Sequence, residues 1–178
     1  MAVKYDYIIA AYHSYTHAFG NNYNKFYNNT VAVVDDCKKA NAVLPLYTNI
    51  ARTAGRNLWR LPSINAIDEK GSPNGPDSLT KMGLQFLGLN CTWPYNYKTL
   101  LNTRDVAVMI NRIHIYFNSN FTKVPKHLVM LLYDQQLSKA ENFKQFKDFV
   151  NTIQNSSQYE FANLRDYPAL DKIKLLKN

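Results

Sequence analysis

His127-Leu128-Val129-Met130-Leu131-Leu132-Tyr133-Asp134 is a continuous apolar run closed by a carboxylate. Polar residues do not alternate with apolar ones, which suits a strand covered on both faces, and such strands belong to parallel sheets flanked by helices. Behind it, Ser138 and Glu141 carry the spacing of a capping box. They precede a helix whose apolar face is Phe143, Phe146, Val150 and Ile153. A brief strand over residues 159–162 closes the pattern.

The same alternation runs back toward the N-terminus. Residues 7–12 predict a buried strand, and residues 18–29, rich in Asn, Tyr and Gly, a loop. Thr30 is placed to cap a helix whose inward face is either Val31, Val34, Cys37 and Asn41 or Val33, Cys37, Ala40 and Leu44, which leaves Asp35, Asp36, Lys38 and Lys39 largely on the solvated side. Pro45 either kinks this helix or opens another over residues 46–54, ended by Gly55. A strand over 57–62, a short helix over 77–87, a strand over 89–93 and a helix over 104–116 follow. His114 lies beside the apolar stripe of that last helix and reads as a packing or surface histidine. Strand and helix repeat about five times in one domain spanning 1–178, which predicts an α/β fold with a parallel sheet. Open sheet and barrel both fit this order. In either, His13, Arg60, Trp93 and Asp134 fall at or just beyond strand ends, where such folds place ligands.

Net charge is +8, yet the lysines are dispersed, and no basic stripe or reading module supports a nucleic-acid partner. Thirteen tyrosines among many asparagines suit partly wet groove walls. Cys37 and Cys91 are far apart and read as buried free thiols rather than a metal cluster. No run is long enough to cross a membrane, and the first residues are too compact for a signal peptide.

His13-Ser14-Tyr15-Thr16-His17 is the stretch that carries chemistry. Histidines at i and i+4 can present both rings on one side of a turn, where neutral imidazole nitrogens can hold a divalent metal. Two polar surface histidines are the plainer reading of the same spacing.

Taken in order, these segments resemble the polysaccharide deacetylase family, also called the NodB-homology or carbohydrate esterase family 4 domain. His13-Ser14-Tyr15-Thr16-His17 is similar to its His-Ser/Thr-x-x-His metal motif, and Trp59-Arg60-Leu61-Pro62 to its arginine-proline motif. Residues 87–93 resemble the strand with a groove tryptophan, Leu131-Leu132-Tyr133-Asp134 the leucine-x-His-Asp segment, and residues 159–164 the closing strand. The resemblance implies a distorted (β/α)7 barrel and a divalent metal, commonly zinc, used to hydrolyse N-acetyl groups on amino-sugar polymers or oligosaccharides. It implies His13 and His17 as metal ligands and Arg60 and Asp134 as catalytic residues. Trp93 is the implied groove wall and Leu131 part of the implied acetyl pocket, and Tyr12, Trp59 and Tyr133 are expected as further substrate contacts. By the same resemblance the protein works outside the cell, in the periplasm or at the envelope.

Two departures accompany the likeness. The family's Asp-Asp strand, which precedes the metal histidines, has no counterpart before His13, so the barrel is expected to be incomplete at its N-terminal strand. An opening there is expected to be closed by a second copy, giving a homodimer. Tyr133 stands where the family has its general-acid histidine, and an ordinary phenol, with a pKa near 10, is a poor proton donor. A catalytically inactive carbohydrate-binding or protein-interaction homolog is therefore the alternative to an active deacetylase.

Overall fold

The computed structural model describes residues 8–43, 48–67 and 72–171. The chain is α/β and divides into two compact units, one formed by Met1–Gly88 with Asn163–Asn178 and the other by Leu89–Ala162. Among the described residues no helix is long and apolar enough to cross a membrane.

The first unit holds a four-stranded sheet in the order β1 (Ile50–Ala51), β4 (Gln85–Phe86), β2 (Leu58–Leu61), β3 (Ile64–Ile67). The sheet is mixed, not parallel as the alternation predicts. β1 and β4 run parallel, but β2 is antiparallel to both β3 and β4. The reason is the linker: only Pro62 and Ser63 separate β2 from β3, and a two-residue turn can join antiparallel neighbours alone. Within the predicted strand over 7–12, Tyr7 lies outside the described residues and only Tyr12 pairs, through a parallel bridge to Ala51. The predicted helix over 46–54 is likewise replaced. Residues 44–47 lie outside the described residues, and Ile50 and Ala51 are claimed by β1, whose backbone bonds Tyr12 on one side and the β4 segment on the other.

Among the described residues four helical segments precede β4: α1 (His17–Asn21), α2 (Tyr23–Tyr27), α3 (Thr30–Val43) and α4 (Asn74–Lys81). Asn29 rather than Thr30 caps α3, its Oδ1 accepting from the Ala32 amide at 3.0 Å. Helix α4 ends at Lys81, well short of residue 87, because the chain must extend into β4. Phe26, Tyr27, Val33, Cys37, Leu79 and Phe86 form the centre of this core.

The second unit contains a parallel pair, β5 (Cys91–Thr92) and β6 (Met130–Leu131), with α5 (Val106–Asn118), α6 (Asp134–Leu137) and α7 (Ala140–Gln154). Its core joins Trp93, Met109, Ile113, Phe149 and Ile153. The predicted strand over 127–134 shortens to two residues, since His127 is held in a turn with Val124 and Asp134 already opens α6. Residues 159–162 form no strand: the Tyr159 ring stacks on Phe117 and its hydroxyl meets His114, so this segment is fixed by side chains. The capping box expected at Ser138 and Glu141 does not form either; Lys139 is the N-cap of α7 and makes no side-chain bond there.

Gly55 sits at φ +61, and a Cβ there would lie 2.1 Å from the Tyr23 ring. Gly83 is also left-handed, at φ +99, but a Cβ would meet nothing within 4 Å. Chemical denaturation should therefore separate the two sites. Gly83→Ala is expected to cost about 1 kcal/mol of backbone strain. Gly55→Ala adds overpacking of about 1–3 kcal/mol, and equal losses at the two positions would contradict this account.

Candidate functional site

The segment between the two histidines is organised by a carboxylate that the helical pattern assigns to solvent. Asp36 on α3 is buried, 3% exposed, whereas Asp35 faces out as expected. Its position explains the difference: it lies one turn from Val33 and one from Ala40, at the edge of the stripe that α3 turns inward. Five hydrogen bonds converge on its two oxygens. The Tyr12 hydroxyl donates at 3.0 Å and the Tyr15 amide at 2.7 Å to Oδ2. The Thr16 hydroxyl at 2.6 Å, the Thr16 amide at 3.0 Å and the Ser14 hydroxyl at 3.3 Å donate to Oδ1.

Ser14 and Thr16 pass the constraint onward. The Ser14 oxygen accepts from the Ala18 amide at 2.9 Å and the Thr16 oxygen from the Phe19 amide at 3.1 Å. Those amides belong to α1, which is wound left-handed: His17, Ala18, Phe19, Gly20 and Asn21 all have φ between +47 and +75. Each non-glycine residue in that conformation costs about 1–2 kcal/mol. Burial of Ala18 and the edge-on packing of Phe19 against Phe26, at 5.0 Å, help offset it.

This loop brings His13 and His17 together, their ring centroids 5.5 Å apart. The partners of each ring set its tautomer. His13 Nδ1 faces the Arg52 carbonyl oxygen at 3.1 Å, and His17 Nδ1 faces Asn21 Oδ1 at 2.7 Å, an oxygen that also accepts from the Tyr23 hydroxyl. Both are acceptors, so in the neutral rings both Nδ1 atoms carry the proton and both Nε2 lone pairs are left for a ligand. Partial burial lowers the His13 pKa, opposed by the hydrogen bond to Arg52 and reinforced by the charges of Arg52 and His17.

Burial alone would raise the Asp36 carboxyl, but the bonds from Thr16, Tyr15 and Tyr12 outweigh it and hold it below its ordinary value. The Tyr12 hydroxyl is pushed far up by its own burial and by the Asp36 charge, so it stays a donor. Burial, with Asp36 adding, raises the Cys37 thiol to about 11; burial raises Cys91 to about 11 as well. Both are buried, free thiols. A cavity of about 10 Å³ beside His13 is too small for more than one water or methyl group.

With its lone pairs taken by five donors, Asp36 has none to give a metal. Among the described residues no group of three or more His, Cys, Asp or Glu side chains is arranged to hold one. His13 and His17 thus bring two ring nitrogens together with no third such side chain grouped beside them among the described residues.

Other residues marked in the sequence fall in both units. Arg60 donates from Nε to Asp77 Oδ1 at 2.6 Å and from Nη1 to the Trp59 and Ala66 carbonyls, which fixes the β2–β3 hairpin to α4. Trp59 and Trp93 are fully enclosed, so neither presents a ring face to solvent; Trp93 donates to the Arg104 carbonyl at 2.8 Å and packs on Phe149. Tyr12 is buried against Asp36, and Leu131 is half-buried in β6. Asp134 is exposed, its Oδ1 accepting from the Gln135 amide at 2.8 Å.

Tyr133, 40% exposed, meets Tyr95 at 5.5 Å, and Tyr95 meets Tyr97, 81% exposed, at 4.9 Å. A buried amide network fixes this aromatic cluster. Gln136 Nε2 donates to the Trp93 carbonyl and Asn102 Oδ1, while its Oε1 accepts from the Tyr133 amide. Asn142 bonds the Leu100 and Gln136 carbonyls and accepts from the Asn102 amide. Tyr97 had no sequence signal beyond its place in the Pro94-Tyr95-Asn96-Tyr97 loop.

No protein-family model and no curated protein matches the chain.

The depressed Asp36 pKa has a signed consequence. The folded state binds its proton less readily than the unfolded one, so the contribution is present above about pH 4 and is lost as pH falls through the folded value. Asp36→Asn should cost about 2–4 kcal/mol at pH 7, and denaturant titrations should show the gap to wild type closing as pH falls below about 4. A gap independent of pH would contradict the role given to the charge.

Proposed function

We propose that the protein is a metal-dependent deacetylase-like hydrolase, acting on N-acetyl groups of an amino-sugar polymer or oligosaccharide. What supports this reading is one observation: His13 and His17 approach each other with both Nδ1 atoms bonded to carbonyl oxygens, leaving two Nε2 lone pairs on a stiffened loop. A divalent ion, zinc by preference, would be held by these two rings, and when bound would polarise the acyl carbonyl and acidify water. The resemblance to the polysaccharide deacetylases also assigns Arg60, in the same unit as the histidines, to catalysis. Carbonyl acceptors behind metal-binding imidazoles fix ring orientation and raise basicity, which is the service Arg52 and Asn21 render here.

Metal analysis and acetate release from N-acetylglucosamine oligomers test this in the complete gene product. Zinc or cobalt is expected to bind and support turnover, with His17→Ala lowering activity at least ~100-fold. No metal uptake and no acetate release with either ion would sink it.

The exposed tyrosine cluster favours a second reading, a carbohydrate-binding homolog without turnover. Aromatic faces carrying hydroxyls, beside the Asp134 carboxylate, suit a polyol ligand. Titration with the same oligomers should then show binding that Tyr97→Ala weakens about tenfold, and unchanged affinity in that variant would remove the reading.

A further inference from the structure

We propose that Asp36 is a positioning residue for the histidine pair, setting the ring geometry and tautomer through the strained turn of α1. The proposal rests on the metal-binding reading of His13 and His17, but its central readout needs no metal.

All five donors to Asp36 come from Tyr12, Ser14, Tyr15 and Thr16, the residue before His13 and the three between the histidines. Two of them, Ser14 and Thr16, use the same hydroxyl oxygens to accept amides of the left-handed coil whose first residue is His17. The Thr16 carbonyl accepts a further coil amide, from Gly20 at 3.0 Å. The carboxylate orients the hydroxyls, the hydroxyls stabilise the coil, and the coil sets His17 opposite Asn21 Oδ1. An amide in place of Asp36 keeps one acceptor oxygen and places an NH2 against donors. The hydroxyls then lose their orientation, and a left-handed coil that L-residues adopt reluctantly relaxes. His17 loses its fixed partner even though it never touches Asp36.

Long-range proton–nitrogen NMR of the imidazoles reads the outcome directly. The protein has four histidines, and His114 and His127, in the second unit, serve as internal controls. In wild type His13 and His17 should both show the Nδ1–H tautomer. In Asp36→Asn and in the milder Thr16→Ala, the His17 signals should move to an averaged mixture while His114 and His127 stay fixed. Thr16→Ser, which keeps the hydroxyl, should restore the wild-type spectrum. Cobalt affinity should fall at least ~10-fold in the first two variants and stay within about twofold of wild type in the third. Wild-type tautomers in a folded Thr16→Ala would overturn the proposal, and that variant decides the matter if Asp36→Asn does not fold. If wild type takes up no cobalt, the metal reading fails, and the tautomer spectra alone decide the positioning role.

Discussion

One buried carboxylate and its five donors set the terms for the first unit. Removing a charge from water is costly unless hydrogen bonds replace the lost hydration, and Asp36 is supplied with them by the loop that carries the histidines. The exchange works both ways. The charge is tolerable in the interior because the loop folds over it, and the loop keeps an unfavourable backbone because the charge anchors it. Helix α3 and the histidine segment are thereby a single mechanical piece.

Much of this was legible from residue order. Helices α3 and α5 follow from their apolar stripes and β2 from the run at Leu58–Leu61, while α7 forms as expected but turns Asn142, Phe149 and Ile153 inward and leaves Phe143 exposed. The histidine pair was visible from spacing alone. Asp36 was not, because a carboxylate beside another on a helix reads as solvated, and only its place next to Val33 and Ala40 hints otherwise. The left-handed coil was hidden for a related reason: Ala18 and Phe19 have no local preference for positive φ, and tertiary hydrogen bonds impose it. An extended segment held by side-chain contacts rather than ladder partners, as at Tyr159, carries the same sequence signal as a strand.

The second unit solves a similar problem without charge. Gln136 and Asn142, each 1% exposed, use neutral amides to close the backbone groups of the loop that carries Tyr95 and Tyr97. A satisfied amide network of this kind gives a loop a defined shape where few apolar contacts are available. The loop that carries the tyrosine rings is in consequence held at both ends by buried amides.

The two enclosed indoles have a spectroscopic consequence. Trp59 lies in the first unit and Trp93 in the second, each without solvent contact, and the chain has no other tryptophan. Intrinsic fluorescence is accordingly the sum of two buried emitters, one assigned to each unit. A single-tryptophan variant turns that emission into a record of one unit's unfolding, read without label or ligand.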